Sequence, residues 1–80
     1  MKHGTLPQLS VFDAVARLGS FTKAAEELYM AQPTVSVQMK KLAETVGLPL
    51  IKQVGKRVRL TEAGRVLHAG CLDMFGTLAG

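Results

Sequence analysis

Between Leu28 and Pro33 the chain has room for only a three- or four-residue turn, flanked on both sides by helical patterns. That shortness limits the available folds more than any other feature. Before the turn, Ser20 is placed to cap a helix in which Phe21, Ala24, Ala25 and Leu28 face inward. Lys23, Glu26 and Glu27 face out. Tyr29 and Met30 end this helix, and Gln32-Pro33 opens the next. Proline is tolerated there because first-turn amides lack intrahelical acceptors. Ala31 is a poor cap, so another group must satisfy those amides. Val35, Met39, Leu42 and Val46 supply a core stripe, and Gly47 closes the helix. Two short helices on a tight turn, the second one basic, form a helix-turn-helix pattern over about residues 21–40. An αα-corner in a helical bundle would give the same pattern.

The flanking segments separate these alternatives. Thr5-Leu6-Pro7-Gln8 resembles a capping box, with Thr5 as the cap, followed by Leu9, Phe12, Val15 and Ala16 at helical spacing up to a stop at Gly19. Residues 50–60 read as a small hairpin with Gly55-Lys56 near its turn, and four of the eight residues from Lys52 to Arg59 are basic. A basic hairpin directly after a helix-turn-helix is a wing. Thr61 then caps a fourth helix starting at Glu62, whose stripe is Leu67, Cys71, Met74 and Leu78 with Val66 and Phe75 beside it. That apolar surface is wide, and a partner helix is expected to cover it. Gly70 and Gly76 weaken the helix locally but permit close contact.

The expected fold is therefore mainly α: a winged helix-turn-helix with a three-helix core and a small β-hairpin wing, followed by a dimerising linker helix. Residues 1–61 form the winged unit, and 62–80 begin the linker helix. Because the chain stops inside that last pattern, it is expected to be part of something longer.

Charge gives the class of partner. The chain carries a net +4, and residues 31–60 alone hold Lys40, Lys41, Lys52, Lys56, Arg57 and Arg59 against Glu44. A one-sided excess of +5 favours an anionic surface over an ordinary solvated face. Eighty residues allow a single domain with little left for an enzyme cleft. His68 and Cys71 stand three apart on one helix, but two ligands do not make a metal site, and no carboxylate pair or activated nucleophile accompanies them; His68 reads as a surface residue and Cys71 as interface packing. No cofactor and no metal are expected. RNA is disfavoured because the basic face has no interleaved aromatics on which bases could stack. A winged-helix module that binds protein without reading bases is the competing function. The single cysteine, the missing charged leader and the absence of a long apolar run make a cytoplasmic protein, with no membrane contact, the expectation.

Opposite the core stripe, the third helix begins with Gln32, Pro33, Thr34, Ser36, Val37 and Gln38 and turns basic only at Lys40 and Lys41. That order suits a helix entering the major groove of double-stranded DNA by its N-terminus. Glutamine can pair with adenine, hydroxyls bond several base edges, and an apolar group such as Val37 can touch a thymine methyl. The lysines then meet phosphates, and Ser20, Thr22 and Lys23 at the second helix form another phosphate clamp.

The segments "FTKAAEELYMAQPTVSVQMKKL", "VGLPL" and "GKRVRLTEAG" resemble the N-terminal DNA-binding domain of LysR-type transcriptional regulators. The phrases "AAEELYMAQPTVSVQMKKL" and "QVGKRVRLTEAG" are similar to the subgroup regulating carbon dioxide fixation operons. The resemblance implies a linker helix that pairs two subunits, here through Leu67, Cys71, Met74, Phe75 and Leu78. It also implies tetramers in the full-length protein, and a small-molecule effector bound by a domain not present in this chain. Tetramers of the family bind interrupted palindromes with T and A at their edges. The family's base-contacting positions fall on Gln32, Pro33, Thr34, Ser36 and Val37, its helix-two phosphate contact on Thr22, and its wing contacts on Lys56 and Arg57, beside Lys52 and Gln53. Three positions depart from the pattern: Ala31 replaces a hydroxyl, Gln53 replaces an arginine, and Val37 stands where many members have arginine.

Overall fold

A computed structural model of the chain describes the backbone of residues 5–79 and the side chains of residues 8–70. The order is α1 (Thr5–Leu18), α2 (Phe21–Leu28), α3 (Gln32–Val46), β1 (Ile51–Val54), β2 (Arg57–Leu60) and α4 (Glu62–Ala79). The expected winged helix-turn-helix with a further C-terminal helix is present. Helix α1 already includes Thr5, so the sequence boundary falls slightly late. The Thr5 cap itself lies outside the described side chains.

The core is the meeting place of α1, α2 and α3. Phe12 and Val15 from α1, Ala24 and Ala25 from α2, and Val35, Met39 and Leu42 from α3 are buried there, closed by Leu50 and Val58 from the wing. The two alanines at the centre of α2 let neighbouring helices approach closely, as their small size suggests. Val46 departs from the expected stripe. It is the last residue of α3 and 41% exposed, because α3 runs a turn beyond the elements that cover its inner face.

The wing is an antiparallel pair with Val54 opposite Arg57, leaving Gly55-Lys56 as a two-residue turn. Gly55 has φ +64° and Lys56 stays at negative φ. Glycine at the first central position fits a type II′ turn, whose twist matches the strands it joins. The ribbon is fastened to the helices by the Val58 N–H, which donates to the Gly19 carbonyl at 3.0 Å. Thr61 secures its far end. Its N–H donates to the Leu50 carbonyl (3.0 Å), its hydroxyl donates to the Pro49 carbonyl (2.7 Å), and Gly64 N–H donates to that hydroxyl oxygen (3.0 Å). One threonine thus caps α4 and ties it to the start of the wing.

A second tie joins α1 to α4. His68 Nε2 donates to Asp13 Oδ1 at 2.9 Å, and the His68 ring meets the edge of Phe12 with centroids 5.8 Å apart. His68 is therefore not the plain surface residue its helical position suggests. Partial burial pushes the Asp13 carboxyl up, but hydrogen bonds from His68 and Arg17 outweigh it and hold the pKa below the ordinary carboxylate value.

The turn of the helix-turn-helix contains a costly residue. Tyr29 closes α2 at φ +56°, ψ 45°, its N–H donating to Glu26 while Met30 N–H reaches back to Ala25. This is a Schellman arrangement with tyrosine where glycine is usual. The left-handed conformation costs roughly 1–2 kcal/mol for a residue with a Cβ, and Tyr29 is 96% exposed, so packing returns little. Tyr29→Gly should raise stability by about 0.5–1 kcal/mol, after allowing for glycine's freer unfolded state. A lower melting temperature in the variant would show that the ring makes stabilising contacts.

Candidate nucleic-acid interface

The site is assembled from the first two turns of α3. Val35, Met39 and Leu42 anchor the helix in the core, each no more than 3% exposed. Their depth fixes which side chains remain outside: Gln32, Pro33, Thr34, Ser36 and Val37 are all exposed, Gln38 is half-buried, and Lys40 and Lys41 follow on the surface. Val37 is 49% exposed.

Ala31 makes no side-chain cap, as its chemistry requires, yet the helix loses little. Thr34 N–H and Val35 N–H both donate to the Ala31 carbonyl, at 3.0 and 3.2 Å. Pro33 has no N–H to satisfy. Among the described residues, the Gln32 N–H is the first-turn donor left without a backbone acceptor. It lies on the exposed end of α3, where a helix N-terminus favours negative charge.

At α2, the Ser20 hydroxyl accepts the Lys23 N–H at 3.1 Å. Its oxygen is occupied as a cap, while its proton remains free to donate. Thr22 and Lys23 are exposed beside it.

The wing residues do not form one surface. Strand alternation places Ile51, Gln53, Val58 and Leu60 on one ribbon face and Lys52, Val54, Arg57 and Arg59 on the other. Ile51, on the first face, shares a shallow hollow with Phe21, Ser36 and Met39, while β2 packs on α1 and α4. Gln53 shares the ribbon face of Ile51 and is exposed, two residues nearer the tip. Lys56 occupies the tip. Lys52 and Arg57 face the other way, into a cleft with the end of α1 and the start of α4. Lys52, Gln53, Lys56 and Arg57, expected as wing contacts, fall on different faces of the ribbon and at its tip. Arg17, Arg59 and Arg65, which line that cleft, were not among the sequence candidates.

On α4, Leu67 packs partly against the chain's own core, whereas Val66 is 70% exposed. Cys71, Met74, Phe75 and Leu78 lie outside the described side chains. Among the described residues no group of three histidine, cysteine or acidic side chains could hold a metal ion, and no helix is long and apolar enough to cross a membrane.

The family model for the bacterial regulatory helix-turn-helix protein, lysR family, matches residues 6–65. This chain belongs to the lysR family. It is 57% identical over 81 residues to the HTH-type transcriptional activator CmpR of Synechocystis sp. strain PCC 6803, covering 94% of this chain and 27% of that protein. Identity to the RuBisCO operon transcriptional regulator of Acidithiobacillus ferrooxidans is 49% over 98% of this chain and 25% of that one. The chain therefore spans about a quarter of the length of these relatives, and RuBisCO operon regulators are among the lysR-family proteins it resembles. Among solved structures, a CbnR DBD–DNA complex superposes with a TM-score of 0.87 at 28% identity, covering 94% of this chain and 86% of that one. A BenM DBD complex with benA site 1 DNA gives 0.88 at 32%, covering 94% and 84%. As a lysR-family winged helix, the chain is a regulatory module rather than an enzyme.

Proposed function

We propose that this chain reads double-stranded DNA as the operator-binding part of a bacterial transcription regulator, with α3 in the major groove and the wing on the backbone or minor groove. The observation that carries this reading is the division of α3. Its apolar side is sealed in the core, while Gln32, Pro33, Thr34, Ser36 and Val37 stand exposed at its N-terminal end. Two structures that superpose closely on it were determined with DNA bound. In this reading Thr22, Lys23, Gln38, Lys40 and Lys41 hold phosphates, joined by the Ser20 proton and the Gln32 N–H. Gln53 and Lys56 are the wing groups on the reading side, and Lys52 and Arg57 reach the backbone only from the ribbon's outer face.

Residues 1–61 act as the DNA-binding unit and residues from 62 onward as a dimerising linker helix. In the full-length protein that helix pairs subunits through Leu67, Cys71, Met74, Phe75 and Leu78, and pairs of dimers form tetramers. The effector binds a domain outside this chain, consistent with relatives about four times as long. The protein works in the cytoplasm on the nucleoid.

Selection of bound sequences from a random duplex pool tests the reading. An interrupted palindrome with T and A at its edges is expected, its half-site spacing reporting dimer geometry. In the same experiment Val37→Ala should change preference at one base pair by about 1 kcal/mol or less. If the variant instead binds every duplex equally more weakly, Val37 supports packing and does not read a base.

A further inference from the structure

The cleft on the outer face of the wing has no part in base reading, yet it gathers more cations than the recognition helix. It has a volume of about 410 Å³ and lies between the end of α1, the ribbon and the first turns of α4. Arg17, Lys52, Arg57, Arg59 and Arg65 line it, and no acidic residue does.

Arg17 is already committed to Asp13 (2.9 Å) and Glu27. The other four make no ion pair among the described residues. Lys52 and Arg59 are directly opposite on the two strands, a like-charge pairing that destabilises a sheet. Arg57 has a structural role of its own. Its guanidinium lies 3.3 Å from where a Gly19 Cβ would stand, at the carbonyl end of α1, where a cation is favoured. That role explains one cation and leaves Arg59 and Arg65 without any, and Lys52 with only a contact from this same outer face. A solvated basic face would spread such charges over a convex surface, whereas here they converge on a hollow. Guanidinium forks match phosphate oxygens in pairs, and an anion in the cleft would relieve the repulsion across the strands.

We propose that this cleft is a phosphate-binding site separate from the reading face of α3. Its phosphate comes either from the backbone of DNA flanking the half-site or from a small phosphate ester. The inference rests on the cleft itself and stands without the DNA reading of α3, though one of its two sources presupposes it.

The test has two arms. In the first, pyrophosphate is titrated into the ¹⁵N-labelled chain at constant ionic strength. Saturable shifts at Gly19, Val58, Arg59 and Arg65 are expected, with Gln32 to Val37 unmoved, and the doubly substituted R59Q/R65Q chain should lose them. In the second, the wild type and this variant are compared on two duplexes sharing one half-site, one of them extended by about ten base pairs. If DNA supplies the phosphate, the variant loses about two units of salt slope on the extended duplex and none on the short one. If a small ester supplies it, both duplexes bind as before and only the pyrophosphate shifts disappear. Either result supports the site. Absence of saturable shifts in the wild-type chain, together with unchanged duplex binding by the variant, overturns it. Equal weakening on both duplexes also overturns it, since the cleft would then belong to the half-site surface. Wild-type binding to the short duplex, measured alongside, reports separately on the DNA reading.

Discussion

Replacing Gly64 by alanine should lower stability by about 3 kcal/mol or more, and the melting temperature by roughly 12 °C or more. A Cβ at this position would stand 2.1 Å from the Leu50 carbonyl oxygen and 3.1 Å from its carbon. Both atoms are backbone, so no side chain can rotate away. The same carbonyl receives the Thr61 N–H, and Thr61 in turn holds Pro49 and the Gly64 amide. Moving Leu50 aside therefore breaks the joint between α4 and the wing and opens the core beside a fully buried leucine. Total stability for a chain this size is on the order of 4–12 kcal/mol, so the loss would be a large share of it. Gly70 supplies the control, because no atom other than its own neighbours and helix backbone lies within 4 Å of its would-be Cβ. In the unpaired chain Gly70→Ala should stabilise by about 1 kcal/mol through helix propensity. Thermal melts followed by circular dichroism distinguish the two. A Gly64→Ala chain melting within a few degrees of the wild type would mean the close approach is not rigid.

Gly64 also shows what the sequence could convey. Its spacing after Leu60-Thr61 is part of the resemblance to the family, but its physical reason, a backbone carbonyl from fourteen residues earlier, is invisible in local pattern. The helices, the turn at Gly55-Lys56 and the caps Ser20 and Thr61 were legible because their determinants lie within a few residues of one another. Val46 was misread for a related reason. Helical periodicity gives the direction a side chain faces, but not how far along the axis neighbouring elements extend. His68 was misread because Asp13, its partner, is 55 residues away in sequence.

The division of the wing is a different case. Alternation along a strand separates Lys52 from Gln53 once the hairpin is placed, so the signal lies in the strand period and not in the charge. Applying that period to the hairpin also puts Arg59 beside Lys52 and Arg57. Arg17 and Arg65 could not be added in the same way, since only the packing of α1 and α4 brings them to the cleft.

Raising salt from about 50 to 200 mM should weaken duplex binding by the dimer roughly 10³- to 10⁵-fold, with a log–log slope of about −5 to −9 for ~6–10 phosphate contacts. The expectation follows from where the cations lie. Lys23 near the start of α2, Lys40 and Lys41 on the third turn of α3 and Lys56 at the wing tip are exposed, and none of them forms an ion pair among the described residues. Each exposed cation brought against a phosphate releases a condensed counterion, and two subunits double the number. Lys56→Gln should flatten the slope by about one unit per subunit and weaken all sequences alike, in contrast to the sequence-selective effect of Val37→Ala. Filter binding or fluorescence anisotropy across a salt series, on selected and scrambled duplexes, measures both. A protein-binding winged helix would behave differently: its contacts would not be polyelectrolyte contacts, and its affinity for a duplex would be weak even in dilute salt. A flat response, or no binding below micromolar concentrations at low salt, would exclude the DNA reading of α3.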